Sequence, residues 1–209
     1  GQLSWAEGYH EFPGVPGNDL PLTSAISDGS GGCYLTGMTG PWQDTQPIIF
    51  HINADGSFGE GWTNDGRTYG STTSRDRNSK ALLVGENVLL TYEQPQSESA
   101  AIYDVRGVLI SPSGGDLWGA QGRRLSHVDA AVVRHQVSSD GQGGFYLGYE
   151  DFRNGAQTHA YVARYNSDGL AMWENVERRT TTHNGDQQQT VLTHDGDGGV
   201  WIVWEDYRN

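Results

Sequence analysis

Apolar and polar positions alternate in short runs along this chain, and no stretch keeps a 3.6-residue period long enough for a helix. The segment from 132 to 173 shows the pattern most plainly. Val132-Val133-Arg134-His135-Gln136-Val137 reads as a strand, ended by the glycine turn Asp140-Gly141-Gln142-Gly143-Gly144. The aromatic-rich run Phe145-Tyr146-Leu147-Gly148-Tyr149-Glu150 reads as a second strand. Asp151-Phe152-Arg153-Asn154-Gly155 then supplies turn chemistry, Asn-Gly being a strong local turn signal. A third strand is expected over Thr158–Tyr165, ended by Asn166-Ser167-Asp168-Gly169, and a short fourth is expected to finish on Trp173.

The unit recurs. Asp-Gly-x-Gly-Gly begins at Asp28, Asp140 and Asp195, and a degenerate copy, Gly85-Glu86-Asn87-Val88, fills the gap; the anchors at 28, 85, 140 and 195 are 57, 55 and 55 residues apart. The closing tryptophan returns as Trp5, Trp62, Trp118 and Trp173. A fixed long period marks a repeat architecture. Four short antiparallel strands per repeat make a propeller blade, which must stack on its neighbours to cover both faces. The expected fold is therefore all-β: one β-propeller section with repeats at about 6–62, 63–118, 119–173 and an incomplete 174–209. Leu3-Ser4-Trp5 reads as the fourth strand of one blade and Val200–Asn209 as the second strand of another. About 3.7 blades are thus expected, which is incomplete as a closed ring. Each recurrent tryptophan is expected between blades, where burial contributes roughly 1.5–3 kcal/mol.

Composition fits this picture and narrows the partners. Thirty glycines in 209 residues match strands separated by tight turns. A formal charge of -13 argues against nucleic acid and against an anionic membrane surface. No apolar run reaches the ~18 residues of a spanning helix, so no membrane insertion is expected. The single cysteine, Cys33, sits in a strand-like run and reads as a buried structural thiol. The chain begins without Met, which reads as a processed or trimmed product.

Two motifs carry charge at strand ends. Glu150-Asp151-x-Arg153 and Glu205-Asp206-x-Arg208 admit an acid pair with a substrate clamp, but a motif repeated with the blade is expected to serve the blade, as an Arg–carboxylate turn. Asp195-Gly196-Asp197-Gly198 has calcium-like spacing, yet Ser30 and Gln142 replace the second aspartate in the other copies, so a tight turn is expected and no metal. The seven histidines lack zinc spacing, and neither a Gly-x-Ser-x-Gly elbow nor a phosphate loop is present, so no cofactor is expected. The whole unit, Asp-Gly-x-Gly-Gly, strand, Trp/Tyr-Glu-Asp-x-Arg-Asn, strand, Asn-x-Asp-Gly-x-x-x-Trp, resembles the repeats of secreted and cell-surface β-propeller proteins of bacteria. That resemblance implies a compartment and a fold but no particular chemistry. The Asn53-x-Asp55-Gly56 and Asn166-x-Asp168-Gly169 turns also resemble the hairpin turns of sialidase-type propellers, which lie away from the catalytic centre.

In a meander blade the first-to-second and third-to-fourth turns share one face. The other face carries the unlike segments Thr39–Thr45, Gln94–Ala100, Thr63–Asn78, Gly119–Asp129 and Glu174–Asp186, and function is expected there. Residues that break the repeat are the binding candidates: Trp42 with Gln43 and Asp44, Arg75 and Arg77 in a run expected to be a solvated charge cluster, and His127. Arg123-Arg124 and Arg178-Arg179 recur at one aligned site and read as structural. The expected role is a non-catalytic module that binds another protein chain or a glycan, with strand addition through unpaired end strands as a route to self-assembly. The alternative is part of a sialidase-like glycoside hydrolase completed by further blades. It requires Arg123, Arg178, Tyr149 and Glu150 to converge in an open central pocket.

Overall fold

The computed structural model describes residues 21–97 and 102–208. Among these residues fourteen strands form sheets of four, four, four and two, each a simple antiparallel meander. The first sheet holds β1 (Leu22–Ser27), β2 (Cys33–Thr39), β3 (Gln46–Ile52) and β4 (Arg67–Thr68). The second holds β5 (Arg77–Val84), β6 (Asn87–Pro95), β7 (Tyr103–Ile110) and β8 (Arg123–Arg124). The third holds β9 (Val132–Ser139), β10 (Phe145–Asp151), β11 (His159–Tyr165) and β12 (Glu177–Arg179). The fourth pairs β13 (Gln187–His194) with β14 (Val200–Asp206). The first strands β1, β5, β9 and β13 pack on one another in succession, as in a section of a propeller. Among the described residues no helix is long and apolar enough to cross a membrane.

The repeated turn explains the repeated sequence. The Asp140 carboxylate accepts the backbone N–H groups of Gln142 and Gly144, both at 2.8 Å. Asp28 does the same for Ser30 and Gly32, and Asp195 for Asp197 and Gly199. The last glycine is required because a Cβ on Gly144 would lie 2.2 Å from the Tyr165 carbonyl oxygen on the neighbouring strand. The acidic turn at Asp195 is thus filled by its own backbone donors.

The fourth strands differ from the expectation. They are only two or three residues long and lie after the tryptophan, not before it. The segment near each expected strand contributes one isolated bridge, such as Tyr165 to Ala171. A two-residue polar strand such as Arg67-Thr68 carries no alternation for sequence to reveal. The segments Thr63–Asn78, Gly119–Asp129 and Glu174–Asp186 therefore contain strand, and the crossing loops proper are the shorter stretches that follow it. Arg123-Arg124 and Arg178-Arg179 are parts of β8 and β12.

The tryptophans lie between sheets and are paired with these strands. Trp62 is buried and donates its indole N–H to the Pro112 carbonyl of the next sheet at 2.8 Å. Trp118 abuts Gly169 and the Phe145 ring of the third sheet. Five residues after each tryptophan an arginine of the fourth strand lies over its ring: Arg67 on Trp62, Arg123 on Trp118 and Arg178 on Trp173, at 5.8, 5.5 and 4.7 Å. Trp5 falls outside the described residues. Cys33 is half-buried against Ile48, Phe50 and Ile52, and burial pushes its thiol pKa up.

Glutamates at the ends of the second strands tie sheet to sheet. Fully buried Glu93 accepts from Arg77 of its own sheet at 2.7 Å and from the backbone N–H and Nδ1 of His135 in the next, both at 3.2 Å. Glu150 likewise accepts from Arg134 at 2.6 Å and from the Thr190 backbone N–H at 2.9 Å. Glu205 is exposed and, among the described residues, its carboxylate meets only the Tyr207 hydroxyl, at 2.7 Å. Met38 occupies the corresponding place in the first sheet. Asp151 and Asp206, by contrast, hold the turns through Arg153 and Arg208, at 2.6 and 3.0 Å. A bulge precedes each tie. Asn78, Arg134 and Gln189 take left-handed φ values of 55°, 54° and 56° where the register of β5, β9 and β13 shifts.

Candidate functional site

Two loops on the variable face come together between the first and second sheets. The first is the turn after β2, where the Asp44 N–H donates to the Pro41 carbonyl at 2.8 Å. Gly40 starts it at φ +97°, and a Cβ there would lie 2.7 Å from the Asp44 carbonyl oxygen. Pro41 suits the tight turn, and the result is a Trp42 side chain that is 72% exposed. The second loop leads from β4 into β5. Its organiser is Asp76, only 1% exposed, whose carboxylate accepts the Ser71 N–H at 3.0 Å and the Ser74 hydroxyl at 3.3 Å.

The loops are riveted at one point. The Asp76 N–H donates to the Thr45 carbonyl at 2.9 Å, and the Thr45 hydroxyl donates back to the Asp76 carbonyl at 2.6 Å. This crosslink sets Arg75 on the face of Trp42, with the guanidinium carbon 3.3 Å from the ring centroid. The next residue but one, Arg77, turns inward to Glu93 and also lies over Tyr103, 3.7 Å from that ring centroid. The stretch 75–77 is therefore not a solvated charge run. Asp76 is buried because its side chain replaces water for the loop's own donors, and Arg77 is the first residue of β5.

Between the loops lies a groove of about 490 Å³. Trp42, Thr45, Arg75 and Arg77 form its walls, with Met38 and Asp76 beneath. Its chemistry is an exposed indole, two guanidinium groups and one carboxyl. Burial pushes the Asp76 pKa up from 3.8 to about 7, against the hydrogen bonds from Ser71, Gln94 and Ser74. Gln43 and Asp44 share the Trp42 turn but do not line the groove. His127 stands apart, exposed in the loop between β8 and β9, with its N–H donated to Glu177 at 3.0 Å.

The arrangement required by a sialidase-like centre is not formed by the described residues. Tyr149 and Glu150 are fully buried, and Arg123 and Arg178 lie on the fourth strands of different sheets against their tryptophans. Among the described residues no three His, Cys, Asp or Glu side chains gather to hold a metal ion. Asp76, Asn78 and Thr45 belong to the site although neither motif nor repeat singles them out. A further uncovered surface is the sheet face of β13 and β14, where Val191, Trp201 and Val203 are 57%, 66% and 68% exposed.

No family model and no curated protein sequence matches this chain. Solved structures do. A thermostable family-43 glycoside hydrolase superposes with a TM-score of 0.55 at 10% identity over 94% of this chain and 66% of its own. An endo-arabinase from Bacteroides thetaiotaomicron VPI-5482 superposes with a TM-score of 0.51 at 10% identity over 90% and 68%. The polysaccharide lyase Uly1 gives 0.48 at 8% identity over 89% and 55%. The chain thus spans about two thirds of the length of the first two, and the likeness establishes the propeller fold.

Proposed function

We propose that this chain is a secreted or surface-displayed propeller module that binds glycan through the groove between its first two sheets, without itself catalysing a reaction. The observation that carries the reading is Trp42: an indole 72% exposed, fixed at the rim of a groove with the Arg75 guanidinium over its ring. An aromatic face suits the C–H surface of a sugar ring, and arginines supply hydroxyl-directed donors. Glycosidic hydrolysis commonly needs two carboxyl groups flanking the bond. The groove offers one, Asp76, which is engaged in holding its loop. The likeness to glycan-acting propellers supports this reading over a protein partner.

Calorimetric titration of the wild type and Trp42→Ala with a panel of plant and algal oligosaccharides tests it. At least one oligosaccharide is expected to bind the wild type, and Trp42→Ala to weaken it at least about tenfold. Affinity unchanged by the substitution overturns the groove assignment, and release of new reducing ends during the titration overturns the non-catalytic role.

A further inference from the structure

The first strands of three successive sheets meet around a second cavity of about 240 Å³. Asn78 and Lys80 of β5, Arg134 and Gln136 of β9, and Gln189 of β13 border it. Asn78 also borders the Trp42 groove, so the two spaces adjoin. Three of these residues are the left-handed bulge residues, so the fold keeps unfavourable backbone geometry at one place three times over.

The polar groups around the cavity divide into two sets. Asn78 and Arg134 are committed to the carboxylates of Glu93 and Glu150, at 3.0 and 2.6 Å. Lys80, Gln136 and Gln189 have no side-chain hydrogen bond or ion pair among the described residues. Lys80 is exceptional in a second way. The chain has 13 basic residues against 26 acidic ones, and Lys80 is its sole lysine. Every arginine has a carboxylate, a carbonyl or an aromatic ring beside it; those without an ion pair are Arg75, Arg123 and Arg178 over rings, and Arg106 and Arg179 against carbonyls. Lys80 has none of these among the described residues. No Asp or Glu borders the cavity.

We propose that this cavity is a subsite for a carboxylate-bearing sugar, a uronate residue of the glycan seated on Trp42. The Lys80 ammonium is the charge partner, and the Gln136 and Gln189 amides are further donors. With Arg134 neutralised by Glu150, the border carries one uncompensated positive charge, which matches a monoanion. The proposal rests on the glycan reading above and adds the ligand class.

The sole lysine makes a clean test. The folded protein is acylated with an acetyl ester at low ionic strength, alone and with D-galacturonate, its neutral methyl ester or galactose 6-sulfate, and Lys80 acetylation is read by peptide mass. Galacturonate is expected to slow acetylation several-fold while the methyl ester does not. In parallel, Lys80→Gln is expected to weaken trigalacturonate binding about tenfold, with Lys80→Arg restoring most of it and neutral oligosaccharides unaffected. Equal acetylation with and without galacturonate, or trigalacturonate binding that Lys80→Gln leaves unchanged, overturns the subsite. Protection by the sulfate in place of the uronate overturns the carboxylate assignment. If oligosaccharides bind through Trp42 while Lys80 is neither protected nor needed, only this proposal fails. If galacturonate protects Lys80 but no oligosaccharide binds, the subsite stands and the glycan groove fails.

Discussion

Replacing Asp76 by Asn removes a charge that the fold tolerates poorly but keeps a shape that it needs. The asparagine carbonyl can still accept the Ser71 N–H, and its amide can donate to the Ser74 hydroxyl, which now stands 3.3 Å from the carboxylate. What changes is the response to pH. Asp76 is pushed from 3.8 to about 7 by burial, so between pH 4 and 7 the folded chain binds a proton that the unfolded chain has released. Stability must then fall as pH rises through that window, and the contribution is fully present only below about pH 4. At about 1.4 kcal/mol per tenfold change in proton affinity, the cost is on the order of 4 kcal/mol by pH 8. Urea unfolding followed by tryptophan fluorescence at half-unit steps from pH 4 to 8 measures it. The difference between wild type and Asp76→Asn cancels the other titrating groups. Wild type is expected to lose stability relative to Asp76→Asn as pH rises; a difference that stays flat refutes the assignment of a neutral, buried Asp76.

Four further outcomes follow from the structure. Glu93→Ala removes a fully buried acceptor and leaves the buried His135, together with the part-exposed Arg77 and the exposed Asn78, without it, and is expected to cost about 3 kcal/mol in urea unfolding. The corresponding Glu205→Ala, at an exposed residue with only Tyr207 beside it, is expected to cost less than about 0.5 kcal/mol by the same assay. Gly70→Ala would place a Cβ 1.8 Å from the Asp76 carboxylate at φ +81°, so it is expected to cost about 2 kcal/mol or more and to release Arg75 from Trp42, seen as a change in the indole fluorescence. Asp28, hydrogen-bonded by His51, Ser30 and Gly32, has its pKa lowered to about 2, so its contribution is present above pH 4 and is lost as pH falls through 2. Asp28→Asn should accordingly flatten the acid limb of the stability profile.

Much of the scaffold is legible in the residues. The strands over 132–137, 145–150 and 158–165 declare themselves by length, alternation and the turns between them. The two-residue fourth strands do not, because Arg67-Thr68 or Arg123-Arg124 is too short for any period to appear. The bulges are equally silent: Asn, Arg and Gln occupy one left-handed position in three sheets, and only Asn has a residue preference for it. At the site, breaks in the repeat single out Trp42 and Arg75, but their stacking depends on the bond between Thr45 and Asp76, residues 31 apart in sequence. Asp76 between two arginines looks solvated in sequence and is buried in fact, since its partners are backbone and hydroxyl groups that no motif records. A composition count reveals Lys80 as the sole lysine, yet only the convergence of the first strands places it beside a cavity. Gln43, Asp44 and His127 illustrate the converse, since they are singled out by their loops and lie outside the groove lining.

The face on which a bound acidic oligosaccharide lies decides the account most directly. A crystal structure of the protein with trigalacturonate is expected to show a sugar ring against the Trp42 indole and a carboxylate within hydrogen-bonding distance of the Lys80 Nζ. Density for the ligand on the opposite face, along the turns at Asp28, Asp140 and Asp195, contradicts it.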